Sequence, residues 1–153
     1  SMVPIFIMAF RWGLKGGFIS GLILGMLQIM IGPFYGVQIV QIMLDYIIAF
    51  AGLGIAGIFA NQVTNAVKQD NVRKIFLYVT LGSFIGCLIR FLAHYAAGVI
   101  FFGHFAPEGQ PVWLYSLLYN GSYMLPSFIF ATIVTILLIR TVPRIFTFNK
   151  SII

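Results

Sequence analysis

An all-α protein embedded in a lipid bilayer is what this sequence encodes. Of its 153 residues, 61% are hydrophobic and only 8% are charged, against roughly 25% charged residues in soluble domains. The mean hydropathy is +1.04, and the apolar residues fall into runs of bilayer length bounded by turn residues. So few polar side chains cannot cover a soluble surface, and the length leaves room for about five or six helices in one transmembrane domain, 1–153, with no separate soluble unit.

Full spans are expected near 16–32, 40–60, 75–102 and 113–140. At 1.5 Å per residue each crosses about 30 Å, and each must be a helix because backbone in hydrocarbon has to satisfy its own hydrogen bonds. The opening run, 2–10, is too short to cross alone and lacks the basic start of a signal peptide, so the chain reads as beginning partway into a longer protein.

Charge alternates from one connection to the next. Arg11 and Lys15 mark the first and the second has none; Lys68, Arg73 and Lys74 mark the third. The fourth, GHFAPEGQP, carries only Glu108, and the tail holds Arg140, Arg144 and Lys150. The positive-inside rule puts the first, third and last of these in the cytoplasm, C-terminus included. The chain then starts outside, and one further helix before Ser1 completes a bundle of six. Since every Lys and Arg except Arg90 lies in a connection or near a chain end, the net charge of +6 belongs to the loops and does not mark a nucleic-acid partner. Cys87, alone in an apolar helix, has no disulfide or metal partner and reads as a small buried hydrophobe.

Small residues recur every fourth position: Gly13, Gly17, Gly21 and Gly25; Gly82 and Gly86; Gly52, Ala56 and Ala60. Such rows let helix backbones approach closely in lipid, either within the bundle or against another membrane protein.

The intramembrane polar groups share one level. Asp45 lies roughly 8 Å below the outer end of its helix, His94 roughly 12 Å and Arg90 one turn deeper. Tyr115, Tyr119 and Asn120 occupy the first two turns of the last helix. An ionised group in hydrocarbon costs at least about 2.5–3.5 kcal/mol, so Asp45 and Arg90 are expected to face a shared cavity. Tyr35, Tyr46, Tyr95, Phe101, Phe102 and Trp113 supply aromatic groups around it. Plainer readings stand beside this one: an Asp45–Arg90 structural ion pair, His94 bonded to a backbone carbonyl, and Trp113, Tyr115 and Tyr123 as an interfacial belt. A carboxylate among ring faces suits an organic cation, and the donors and acceptors of Asn120 and His94 suit a flat nitrogen heterocycle.

Three blocks carry a family resemblance: LDYIIAFAGLGIAG at 44–57, RFLAHYAAGVIFFGHFAPEG at 90–109 and VWLYSLLYNGSYMLPS at 112–127. They resemble the thiamine-specific substrate-binding (S) component of bacterial energy-coupling-factor transporters. The resemblance implies a six-helix S-component bundle whose first helix precedes this chain, multi-pass in the bacterial cell membrane, binding thiamine near its outer side and using no cofactor. It implies as partners a transmembrane scaffold subunit and two ATPase subunits. Carried over by position, the binding residues are Tyr35, Asp45, Tyr46, Arg90, His94, Gly98, Phe102, Tyr115 and Asn120. The carboxylate, Tyr115 and Asn120 would hydrogen-bond the ligand; His94 and Phe102 would stack on its pyrimidine; Gly98 would leave room for a ring. Asp45 stands where some relatives carry Glu, Phe102 where a Trp can occur and Arg90 where a Lys can. No GxxxxGK[ST] motif is present, so ATP hydrolysis must come from partners. A different cationic heterocycle is one alternative ligand. An intramembrane enzyme using Asp45, His94 and Arg90 is the alternative class, weakened by the lack of HExxH and of a nucleophile beside a base.

Overall fold

The computed structural model describes residues 2–31 and 38–147, and those residues are helical without strands. We number four long helices: α1 (Met2–Ile31), α2 (Ile39–Lys68), α3 (Val72–Phe101) and α4 (Val112–Thr141). By length and composition alone each range is long and apolar enough to cross a bilayer, the break in α1 at Gly13 set aside.

α1 is not straight. Gly13 takes φ 72° and ψ −161°, outside the helical region and accessible chiefly to glycine. A Cβ built on Gly17 would stand 2.8 Å from the Cβ of Ala9, two turns earlier, whereas a straight helix separates such residues by about 12 Å. The chain therefore folds back at Gly13 into two antiparallel limbs. Arg11 and Lys15 flank the turn, as the charge pattern anticipates for the first connection. Ile5, Phe6 and Phe10 of the short limb are fully buried, so a run too short to cross alone supplies the centre of the core.

The glycine rows pack inside the bundle. Gly13, Gly17, Gly21 and Gly25 meet the backbone of Gly57, Gly54, Phe50 and Tyr46, a regular antiparallel register along α2. A Cβ on Gly17 would stand 2.6 Å from the Gly54 carbonyl oxygen, and one on Gly21 would collide with that of Phe50. Gly82 and Gly86 receive the Phe10 and Phe6 rings beside Ala56 and Leu53. Gly52 faces Ile89 of α3.

α2 changes its winding to suit its neighbours. Gly54–Phe59 is 3₁₀, in which positions i and i+3 eclipse, so Gly54 and Gly57 line up on the face that meets α1. Met43–Ile48, which carries Asp45 and Tyr46, is a π turn, a wider winding that recurs at functional sites. α3 starts with Asn71, whose side chain accepts from the Lys74 backbone N–H at 3.1 Å. α3 and α4 run antiparallel, with Phe84 edge-on to Phe128 at 5.9 Å. The Thr64 hydroxyl donates to the Phe146 carbonyl at 3.2 Å, closing the basic end where α2 and α4 finish and α3 begins.

Overpacking a tight helix contact costs about 1–3 kcal/mol. Gly21→Leu is therefore expected to lower the unfolding midpoint in detergent. Gly121→Ala, whose added Cβ meets nothing within 4 Å, is expected not to lower it.

Candidate binding site

At the end of the bundle opposite Lys68, Arg73 and Arg140, the end of α1, the start of α2, the end of α3 and the start of α4 line a cavity of about 460 Å³. Its volume lies within the range of about 300–1,000 Å³ typical of small-molecule sites.

Three charged or titratable side chains form its polar wall. His94 lies one turn after Arg90 on α3, so both project to one side. The Arg90 Nε–H donates to His94 Nε2 at 3.3 Å, and His94 Nδ1 lies 2.9 Å from Asp45 Oδ1 across the gap to α2. One protonation state satisfies both contacts: a neutral imidazole carrying its proton on Nδ1, accepting from the guanidinium and donating to the carboxylate. The Asp45 and His94 side chains are only 17% and 14% exposed, which keeps these bonds largely out of solvent. Among the described residues Asp45 uses Oδ1 alone for this bond, leaving Oδ2 to accept from a guest. The Arg90 guanidinium lies 4.3 Å from the centre of the Phe50 ring, a cation–π contact, and its Nη1 has no acceptor among the described residues.

The structural ion pair of Asp45 with Arg90 is thus replaced by a relay through His94. The alternative in which His94 donates to a backbone carbonyl also fails, since its ring nitrogens face Asp45 and Arg90.

Beside the relay, α4 presents a ladder of phenols. Tyr115, Tyr119 and Tyr123 recur every fourth residue, and successive rings lie 5.9 and 5.8 Å apart. The Tyr123 ring lies edge-on to His94 at 6.5 Å. Asn120, 5% exposed, is built into the α3–α4 seam. Its Nδ2 donates to the Ser116 carbonyl at 2.9 Å, to Ser116 Oγ at 3.2 Å and to the His94 carbonyl at 3.4 Å. Its Oδ1 accepts from the Tyr123 hydroxyl at 2.7 Å. Ser116 in turn donates to the Tyr95 carbonyl at 2.9 Å.

Of the residues proposed from sequence, Asp45, Tyr46, Arg90, His94, Gly98, Phe102, Tyr115 and Asn120 all line this cavity. Tyr35 lies outside the described residues. Gly98 lines it for a different reason from the one expected: a Cβ there would run into Ser116 Oγ and approach Asn120, so the space is taken by α4 and not held open for a ring. Tyr95 stacks on Phe91 at 6.1 Å and does not line the cavity, and neither do Phe101 and Trp113, the latter 53% exposed as in an interfacial belt. Sequence reading missed Gln28, Gln41, Phe50, Phe105 and Ser116 as lining residues. Gln41 carried a signal, since it precedes Asp45 by one turn; Tyr119 and Tyr123 carried a clearer one in their spacing from Tyr115.

The profile of the family described as "Thiamine transporter protein (Thia_YuaJ)" matches residues 1–147. This chain belongs to the thiamine transporter protein family. It is 48% identical to the thiamine transporter ThiT of Bacillus subtilis (strain 168) over 150 residues, 98% of this chain and 78% of that protein. It is 32% identical to the ThiT of Lacticaseibacillus paracasei over 148 residues, 95% of this chain and 74% of that protein. A solved structure of ThiT from Listeria monocytogenes superposes with a TM-score of 0.89 at 30% identity, covering 95% of this chain and 79% of that one. Thiamine transporter family membership makes the chain a membrane transport protein and removes the case for an intramembrane enzyme.

Filling the Gly98 contact tests the seam that holds the site. Gly98→Ala is expected to cost about 1–3 kcal/mol of stability by overpacking. Adding Ser116→Ala, which removes the nearest atom, should recover part of the loss in unfolding midpoint.

Proposed function

We propose that this chain is the thiamine-binding subunit of an energy-coupling-factor importer, taking up thiamine from the outer side of the membrane in the cavity lined by α1, α2, α3 and α4. The observation that carries the reading is the Arg90–His94–Asp45 relay and the adjoining ladder of phenol rings lining one ligand-sized cavity. Kinship supports it, since the similar proteins are named thiamine transporters.

Thiamine joins a cationic thiazolium to a neutral aminopyrimidine. Asp45 Oδ2 answers the positive charge, and the faces of Tyr115 and Tyr119 add cation–π attraction of about 0.5–2 kcal/mol each. His94 and Phe102 offer surfaces for the flat pyrimidine, and Tyr46, Tyr115 and Asn120 offer polar atoms at its edge. Tyr35 belongs to the same reading as a group from the outer loop. By the positive-inside rule the cavity opens outward and the C-terminus is cytoplasmic, with the whole chain acting as one transmembrane domain. A partner scaffold and two ATPase subunits supply the energy, because the chain has no phosphate-binding loop of its own.

Titration of the purified intact protein with thiamine, followed by tryptophan fluorescence or calorimetry, is expected to give saturable one-to-one binding. No saturable binding overturns the proposal, and tighter binding of an unrelated cationic heterocycle replaces thiamine with a different cargo. A hydrogen bond to a charged group is worth about 1.5–3 kcal/mol. Asp45→Asn should therefore weaken binding by about 10- to 150-fold.

A further inference from the structure

We infer that Tyr123 is a positioning residue that fixes which end of the Asn120 amide the ligand meets, and so makes the cavity selective for an amino-bearing ring. The inference rests on the proposed thiamine site and deepens it. Contacts at both ends act jointly to set the amide. Its nitrogen faces the Ser116 and His94 carbonyl oxygens and Ser116 Oγ, whose own proton is committed to the Tyr95 carbonyl. Its oxygen faces the Tyr123 hydroxyl, which donates to it at 2.7 Å. The reversed amide would place an oxygen against two carbonyl oxygens and an NH₂ against a hydroxyl that has to turn its proton away.

With both N–H bonds held in the seam, the cavity side of Asn120 is an acceptor only. An amide oxygen has two acceptor sites, and Tyr123 occupies one, leaving the second for a guest. A donor satisfies it, and an acceptor placed there meets a lone pair. The amino group on the pyrimidine of thiamine is such a donor. The analogue with a carbonyl oxygen in place of that amino group presents an acceptor. Tyr123 also touches His94 edge-on, so a single side chain holds the polar reader and the stacking surface in one relative position.

Removing the hydroxyl alone tests this. Affinities for thiamine and for its oxo analogue would be measured on the intact wild-type protein and on Tyr123→Phe, which keeps the ring. Wild type is expected to prefer the amino compound by more than tenfold. Tyr123→Phe should reduce that ratio by about tenfold, mainly by weakening thiamine, with little change for the oxo analogue. Equal affinities in the wild type overturn the inference without recourse to any variant. So does a Tyr123→Phe that leaves the ratio unchanged, whether both affinities fall together, as a purely structural loss requires, or neither moves. A wild-type protein that binds neither compound overturns the thiamine site itself, an outcome distinct from binding without selectivity.

Discussion

A single imidazole ring shared between a guanidinium and a carboxylate is the interaction on which the site depends. Arg90 and Asp45 sit on different membrane-length helices, where an unpaired ion costs several kcal/mol. His94 joins them without direct contact, and in doing so it ties α3 to α2. Because the ring must accept on one nitrogen and donate on the other, its tautomer and its orientation are both determined by its neighbours. The wall of the cavity is therefore set before any guest arrives.

That bond can form only because the helices are held at fixed distances, and small residues set those distances. Four glycines of α1 lie against α2 in strict antiparallel register, two more on α3 admit the Phe6 and Phe10 rings, and Gly98 lets α4 close on α3. In lipid no hydrophobic force drives helices together, so dispersion at close contact and buried hydrogen bonds carry the association. The Ser116–Asn120–Tyr123 network is the polar counterpart of the glycine contacts: each group has at least one hydrogen-bond partner across or within the seam. The winding of α2 fits the same logic. Its 3₁₀ segment aligns two glycines against α1, and its π turn widens the helix at Asp45, where the cavity needs space.

Much of this was legible in the sequence. Apolar runs of bilayer length gave the helices, alternating charge gave the first connection at Arg11 and Lys15, and the common depth of Asp45, Arg90, His94 and Asn120 anticipated their convergence on one cavity. What escaped depends on side-chain direction and local winding. The relay through His94 could not be told from a direct Asp45–Arg90 pair, because spacing fixes which residues share a face but not which atoms meet. Gly98 was read as room for a ring because a missing side chain does not say who fills the gap, and here Ser116 does. Tyr95 neighbours His94 in sequence yet points to Phe91, about 100° around the helix from the cavity face. Ser116 was overlooked since a lone serine in a membrane helix is usually bonded to its own backbone; this one reaches across to the Tyr95 carbonyl.

The charge distribution also orients the proposed guest. Without a ligand the relay is neutral overall, one cation balanced by one carboxylate through an uncharged ring. A second cation entering this space meets attraction from Asp45 and repulsion from Arg90. At an effective dielectric constant of about 20, two like charges about 8 Å apart repel by about 2 kcal/mol, and the penalty doubles at half that distance. Arg90 is held over the Phe50 ring and donates to His94. Under the proposed function this favours a thiazolium beside Asp45 and away from Arg90, with the uncharged pyrimidine at Asn120. That arrangement is the one in which an acceptor-only amide at 120 meets the amino group. The electrostatics of the relay and the hydrogen bonding of the seam then favour the same pose, although they arise from different residues.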